Sequence, residues 1–178
     1  MKNILIVSSS FRKNGNSEML VKEFEKGAKE AGSAVEVVSL RELNIGFCRG
    51  CLACQKSGKC VIRDDAEALA EKMKNANALV FATPVYYYSV SGQLKTMLDR
   101  MNPIYGSDYK FTDVYLLATA AEDEESAVEG TVTAVQGWID CFDRANLKAV
   151  VFAGGVNGVG DIAGHKKLAM AYETGKRV

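Results

Sequence analysis

The chain lacks an excess of charge of either sign: Lys plus Arg and Asp plus Glu each total 22 among 178 residues. Nucleic acids and anionic membranes both select a basic excess, so neither is an expected partner. It also lacks a long apolar run. The first one, Ile4-Leu5-Ile6-Val7, falls far short of the ~20 apolar residues that cross a bilayer. It leads at once into a polar loop, unlike a signal peptide. A cytoplasmic location is the expectation. Histidine is almost missing, and the single one, His165, stands late in the chain, where a helix surface is expected. No side-chain acid or base is therefore assigned. No internal repeat, linker or low-complexity segment interrupts the chain.

Hydrophobic residues make up 48% and charged residues 25%, which suits a folded globular chain and is too apolar for a disordered one. The length suits a single domain over residues 1–178 with one sizeable core. Five cysteines in a reducing compartment read as thiols, metal ligands or redox groups rather than disulfides.

Strand and helix signals alternate. The run Asn3 to Val7 is aliphatic on both faces, the mark of a strand buried inside a parallel sheet. Met19, Leu20, Phe24 and Ala28 then share one helical face, and Gly32 stops that helix. Ala34 to Ser39 reads as a second strand, Asp65 to Asn75 as a helix, and Ala78 to Thr83 as a third strand, broken by Pro84. A loop runs from Pro84 to Gly92 before a helix over Gln93 to Met101. Strands over Asp113 to Ala118 and Leu147 to Ala153 flank a helix over Thr131 to Arg144, and a last helix covers His165 to Thr174. Five such alternations imply an α/β fold with a five-stranded parallel sheet and helices on both faces. In such sheets ligands bind beyond the carboxyl ends of the strands, where strand order reverses.

The first of those ends carries Ser8-Ser9-Ser10-Phe11-Arg12-Lys13-Asn14-Gly15-Asn16-Ser17. Hydroxyls, backbone amides, a guanidinium and a helix N-terminus together suit a phosphate dianion. The loop is neither a dinucleotide fingerprint nor a Walker A sequence, which favours a monophosphate. The plain alternative is a polar surface loop in which Asn16 or Ser17 caps the helix.

The stretch resembles the Gly-Ser-x-Arg-x-x-Gly-Asn-Thr loop of NADPH-dependent FMN reductases and related flavodoxin-like oxidoreductases, with Ser9 for the glycine and Ser17 for the threonine. The resemblance continues through Asp64-Asp65, Thr83-Pro84-Val85-Tyr86 and Leu94-Lys95 to Leu98-Asp99-Arg100. It implies a flavodoxin-like fold in which Ser10, Arg12, Asn16 and Ser17 hold the phosphate of FMN. It further implies Pro84, Val85, Tyr86, Tyr87 and Ser89 as flavin contacts. Tyrosines suit a ring system, although at least one of the three in Tyr86-Tyr87-Tyr88 is expected in packing or an interface. Thr119 and Ala120, small residues after the fourth strand, suit a third cofactor loop, whereas the acidic run Glu122 to Glu125 suits the start of a helix. Lys95 and Asp99 read as a solvated helix pair or an interface element.

Cys48, Cys51, Cys54 and Cys60 have the spacing C-x2-C-x2-C-x5-C. Three readings stay open: ligands of a [4Fe-4S] cluster, as the likeness to iron-sulfur flavoproteins implies, a zinc cage, or free thiols able to form reversible disulfides. Cys141 is expected as a small buried hydrophobe. The function implied is an FMN-dependent oxidoreductase that takes electrons from NAD(P)H or a redox partner and reduces a small acceptor such as a quinone or flavin. Its rivals are an iron-sulfur flavoprotein that carries electrons without nicotinamide turnover and a redox sensor. The resemblance and the tyrosine-rich loop also imply a homodimer or homotetramer.

Overall fold

The computed structural model describes residues 1–178. Its parallel strands are β1 (Asn3–Ser8), β2 (Ala34–Ser39), β3 (Ala78–Tyr86), β5 (Asp113–Thr119) and β6 (Asn146–Ala153), and they lie side by side in the order β2-β1-β3-β5-β6. A two-residue strand, β4 (Ser89–Val90), pairs antiparallel with β3. The five parallel strands are those expected, in the order that distinguishes flavodoxin-like sheets, and β4 is an addition.

The alternation of side chains along β1 explains the two cores. Leu5 and Val7 enter a cluster with Leu79, Phe81, Leu94 and Met97. Ile4 and Ile6 enter the opposite one with Leu20, Phe24 and Leu117. Helices α3 (Ala66–Asn75), α4 (Gly92–Arg100) and α5 (Glu129–Ile139) bury the first face, whereas α1 (Asn16–Glu30) and α6 (Lys166–Lys176) bury the second. A short helix, α2 (Ala53–Ser57), falls inside the cysteine segment, where no regular element was expected.

Pro84 does not break β3. The strand continues through it to Tyr86, with Pro84 opposite Thr119. Pairing with β1 ends at Ala82, so the strand beyond is bonded on one side only and tolerates a residue without an N–H. The tyrosine loop is therefore a hairpin, turning at Tyr87 and Tyr88 with φ of 49° and 59°. That left-handed pair has the handedness of a two-residue hairpin turn but lacks the glycine or asparagine that usually supplies it. Opposite the turn, a Cβ on Gly130 of α5 would stand 2.1 Å from the Tyr88 carbonyl oxygen. Glycine there lets the helix brace the turn.

Helix α5 ends at Ile139 rather than Arg144. Cys141 lies in the turn that follows, and it is exposed while Phe142 turns inward. The expectation of a buried Cys141 is corrected accordingly. His165 caps α6, its Nδ1 accepting from the Lys167 amide at 3.1 Å.

Helices α1 and α6 cross through reciprocal glycines. A Cβ on Gly27 would lie 2.1 Å from the Tyr172 carbonyl oxygen, and one on Gly175 would lie 2.1 Å from that of Phe24. Gly137 on α5 meets nothing within 4 Å. Gly27→Ala should therefore cost about 1–3 kcal/mol by overpacking. Gly137→Ala should gain about 1 kcal/mol from helix propensity. Urea unfolding midpoints at matched m-values read both.

Candidate functional site

The chain leaves β1 toward β2 on one side and, after α3, returns to β3 on the other, so the carboxyl ends of β1 and β3 border the reversal of strand order. A cleft of about 180 Å³ opens there. Ser10, Arg12, Asn16 and Ser17 reach it from the first loop and α1, and Pro84, Val85 and Tyr86 from the end of β3. Thr119 and Ala120 complete the far wall with Ala121. Two lining residues, Val156 and Asn157, were not anticipated. They belong to the segment after β6, whose five glycines between Gly154 and Gly164 were the available signal of a tight loop.

Tyr87 and Ser89 stand outside this cleft. Tyr87 is fully exposed and lines a neighbouring concavity with Tyr88 and Glu122. Ser89 is occupied in the hairpin opposite Tyr86.

Hydrogen bonds fix the cleft from below. Asn16 donates through Nδ2 to the Gly158 carbonyl at 2.9 Å, and its Oδ1 accepts from the Ile162 amide at 3.3 Å. Ser17 and Thr119 join hydroxyls at 2.7 Å, which ties α1 to the end of β5. Arg12 spans the mouth and donates to the Asn157 carbonyl at 2.5 Å. The Ser10 hydroxyl accepts from the Arg12 amide at 3.3 Å. The N-cap of α1 is Gly15, with no side-chain cap, so neither Asn16 nor Ser17 plays the capping role weighed for them. The uncapped first-turn amides of a 15-residue helix thus stay available to an anion.

Ser9, the departure from the family loop, has a structural use. Its hydroxyl donates to the Ala82 carbonyl at 3.1 Å and accepts from Ser91 at 2.8 Å. The Ser91 amide in turn donates to Thr83 Oγ1 at 3.1 Å. All three residues are buried, so this hydroxyl chain fastens the ends of β1 and β3 to the first turn of α4.

The cysteine segment hangs from one buried cation. Arg100 donates to both carboxylate oxygens of Asp64, at 2.6 and 2.9 Å, to the Gly46 carbonyl at 2.7 Å and to the Ile62 carbonyl at 3.4 Å. Its Nη2 also approaches Cys60 Sγ at 3.5 Å. The two side chains are 0% and 6% exposed. Burial pushes the Asp64 pKa up, but the hydrogen bonds from Arg100, Gly46 and Ala66 outweigh it and hold it below the ordinary value. The hydrogen bond to Asp64 raises that of Arg100.

The four cysteines do not converge. Cys48 and Cys51 are exposed, Cys54 is buried beneath the Asn102 amide at 3.2 Å, and Cys60 is half-buried. No three Cys, His, Asp or Glu side chains gather around a point that can hold a metal ion. As folded, the segment does not fit a cluster or a zinc cage. Lys95 and Asp99 form an exposed pair at 2.6 Å, the solvated reading of that spacing.

Because its folded pKa is depressed, ionised Asp64 stabilises the fold at neutral pH, and this contribution is lost as pH falls through the folded value. Asp64→Asn should cost about 3 kcal/mol at neutral pH by stranding Arg100. The difference from the unchanged chain should shrink below pH ~4, where unfolded carboxylates protonate. Urea titrations across that range test it.

Both the sequence and the fold have known counterparts. The profile of the NADPH-dependent FMN reductase family matches residues 2–160. An iron-sulfur flavoprotein of Methanocaldococcus jannaschii is 38% identical over 101 residues, which cover 57% of this chain and 52% of the relative. The chain thus spans about half the length of the iron-sulfur flavoproteins it matches. A putative NAD(P)H-dependent FMN-containing oxidoreductase of Bacillus subtilis is 26% identical over 98% of this chain and 97% of the relative. In structure, an azoreductase of Bacillus anthracis superposes with a TM-score of 0.76 at 20% identity, covering both chains fully. With almost its whole length matched by the family profile and its fold shared with flavodoxin-like reductases, the chain belongs to the NADPH-dependent FMN reductase family.

Proposed function

We propose that the chain binds FMN in the cleft at the strand reversal and acts as an oxidoreductase, taking electrons from NADH, NADPH or a redox partner and passing them to a small acceptor. The observation that carries this reading is the meeting, in one cleft, of a phosphate-suited loop with the ends of β3 and β5. The donor set fits the group. Ser10, Ser17 and Arg12 with the free first-turn amides of α1 match a phosphate, and Asn16 is locked in place as part of its frame.

Pro84, Val85 and Tyr86 offer an apolar border to the ring system, and small Thr119, Ala120 and Ala121 admit it close to the backbone. FMN, when bound, supplies the hydride and electron chemistry. The protein supplies position and electrostatics: Arg12 neutralises phosphate charge, and the Ser9, Thr83 and Ser91 chain keeps the two strand ends in register.

A second reading, electron carriage without nicotinamide turnover, is supported by the cysteine spacing and by the name of the archaeal relative. The sulfurs stand apart in the folded segment. An anaerobic absorption spectrum that shows flavin bands alone, with four titratable thiols, favours the first reading. Self-association as a homodimer or homotetramer is supported by the fully exposed Tyr87 on its braced turn.

Flavin fluorescence quenching tests the site. Arg12→Ala should weaken FMN binding by about 10- to 100-fold, the value of a charge-assisted hydrogen bond, while riboflavin, which has no phosphate, is nearly unaffected. Equal losses for both ligands, or no FMN retention by the unchanged protein, would refute it. Rapid anaerobic bleaching of the bound flavin by NADH or NADPH separates the enzyme from the carrier.

A further inference from the structure

The sheet ends in two edge strands, β6 and β2, and they are built differently. On β6 the pairing with β5 slips between Val114 and Tyr115, which sets Lys148 out as a bulge, its Nζ 3.6 Å from Asp113. A bulge and a lysine are two of the devices that keep an edge strand from pairing further. β2 has neither. All six of its residues stay in register with β1, and none is Lys, Arg or Pro. The Ala34 amide donates to the Lys2 carbonyl at 2.9 Å. Ala34, Glu36 and Val38 therefore turn their backbone groups toward β1, and Val35, Val37 and Ser39 turn theirs outward. No strand lies beyond β2, and no turn, loop or cap bonds to Val35 or Val37. Val37 is 39% exposed, and a hollow of about 500 Å³ between β2 and α3 leaves the other face of the edge uncovered as well.

We propose that this edge is an interface between two copies of the chain, which join β2 to β2 antiparallel about a two-fold axis at Val37 and so continue one sheet through both. Hydrogen-bond phase and charge together select that register. Residues that bond across an antiparallel pair must both turn outward. Placing Val37 opposite its own copy sets Val35 opposite Ser39, so every outward residue of the strand meets another. Glu36, the lone charge on β2, then stands across from Val38, and Lys72 already holds its carboxylate at 2.5 Å. With the axis moved to Glu36, two carboxylates would stand directly opposite, which is destabilising. With the axis moved to Val38, Val35 would fall opposite Arg41, outside the strand. The β-branched side chains of Val35 and Val37 meet across the junction on the side of α1, a favourable cross-strand pairing. A contact of this isologous kind closes at two copies. No residue lining the cofactor cleft lies on β2, so the contact leaves that cleft open, and it is separate from the tyrosine turn.

Sedimentation and hydrogen exchange test it, and neither uses FMN. At about 100 µM the unchanged chain should associate. Val37→Lys and Val37→Glu each set like charges face to face on the axis, and each variant alone should associate at least about tenfold more weakly. Mixed in equal amounts, the two variants should regain association to within a few fold of the unchanged chain, because opposite charges then face each other. That regain also shows that both are folded. In the unchanged chain, the Val35 and Val37 amides should exchange about tenfold more slowly at ~100 µM than at ~1 µM. The Glu36 amide, turned toward β1, should not respond.

A chain that stays monomeric at about 100 µM overturns the proposal. So do variants that associate as the unchanged chain does, since the contact then lies elsewhere. A mixture that regains nothing, or outward amides whose exchange ignores concentration, overturns it equally.

Discussion

Between β1 and β3 the chain departs from the sheet to opposite sides, and no crossover covers the gap left at their carboxyl ends. The cleft opens over that gap. A parallel sheet obliges each strand to deliver its following loop to the same edge, so four segments distant in sequence meet there. Hydroxyls then do the fine positioning. Ser9, Ser91 and Thr83 are buried, and each polar hydrogen among them finds an acceptor within the chain of contacts. A buried polar network satisfied in this way rigidifies its surroundings, whereas a partly satisfied one would weaken them.

The two halves of the molecule are built to different tolerances. On the side of α1 and α6, glycines at Gly27 and Gly175 bring two helices to backbone contact, so the N-terminal turn of α1 is held by a rigid crossing far from its own tip. On the other side, the larger core of α3, α4 and α5 is filled by methionines and aromatic rings, with Trp138, Phe111 and Phe142 in mutual contact. The phosphate-suited loop is thus attached to the stiffer face, opposite the adaptable side chains.

Much of this was legible in the residues. The Asn3 to Val7 run is apolar on both sides because β1 is central, and that pattern alone identifies a buried parallel strand. Of the residues the family resemblance and the strand-end rule singled out, nine line one cleft at the ends of the parallel strands. The failures have physical causes. Pro84 stays in its strand because pairing on one side of β3 has already ended. The hairpin at Tyr87 and Tyr88 carries no asparagine or glycine to announce it, being braced from α5 instead. Arg100 and Asp64 appear in the sequence only as parts of two separate motifs of the family resemblance, because only the fold brings them together. Cys141 read as buried because its helix was drawn too long.

The guanidinium of Arg100 holds the Gly46 and Ile62 carbonyls at once. It therefore closes the neck of the segment 47–61, and strain applied within that segment meets a buried ion pair before it meets the sheet. The stretch of chain carrying the four thiols is in this sense a cassette. Within it Cys48 and Cys51 face solvent, while Cys54 and Cys60 touch Asn102 and Arg100 at its base. Oxidation at Cys48 or Cys51 would be borne at the exposed tip, whereas oxidation at Cys60 would be felt directly by the buried guanidinium.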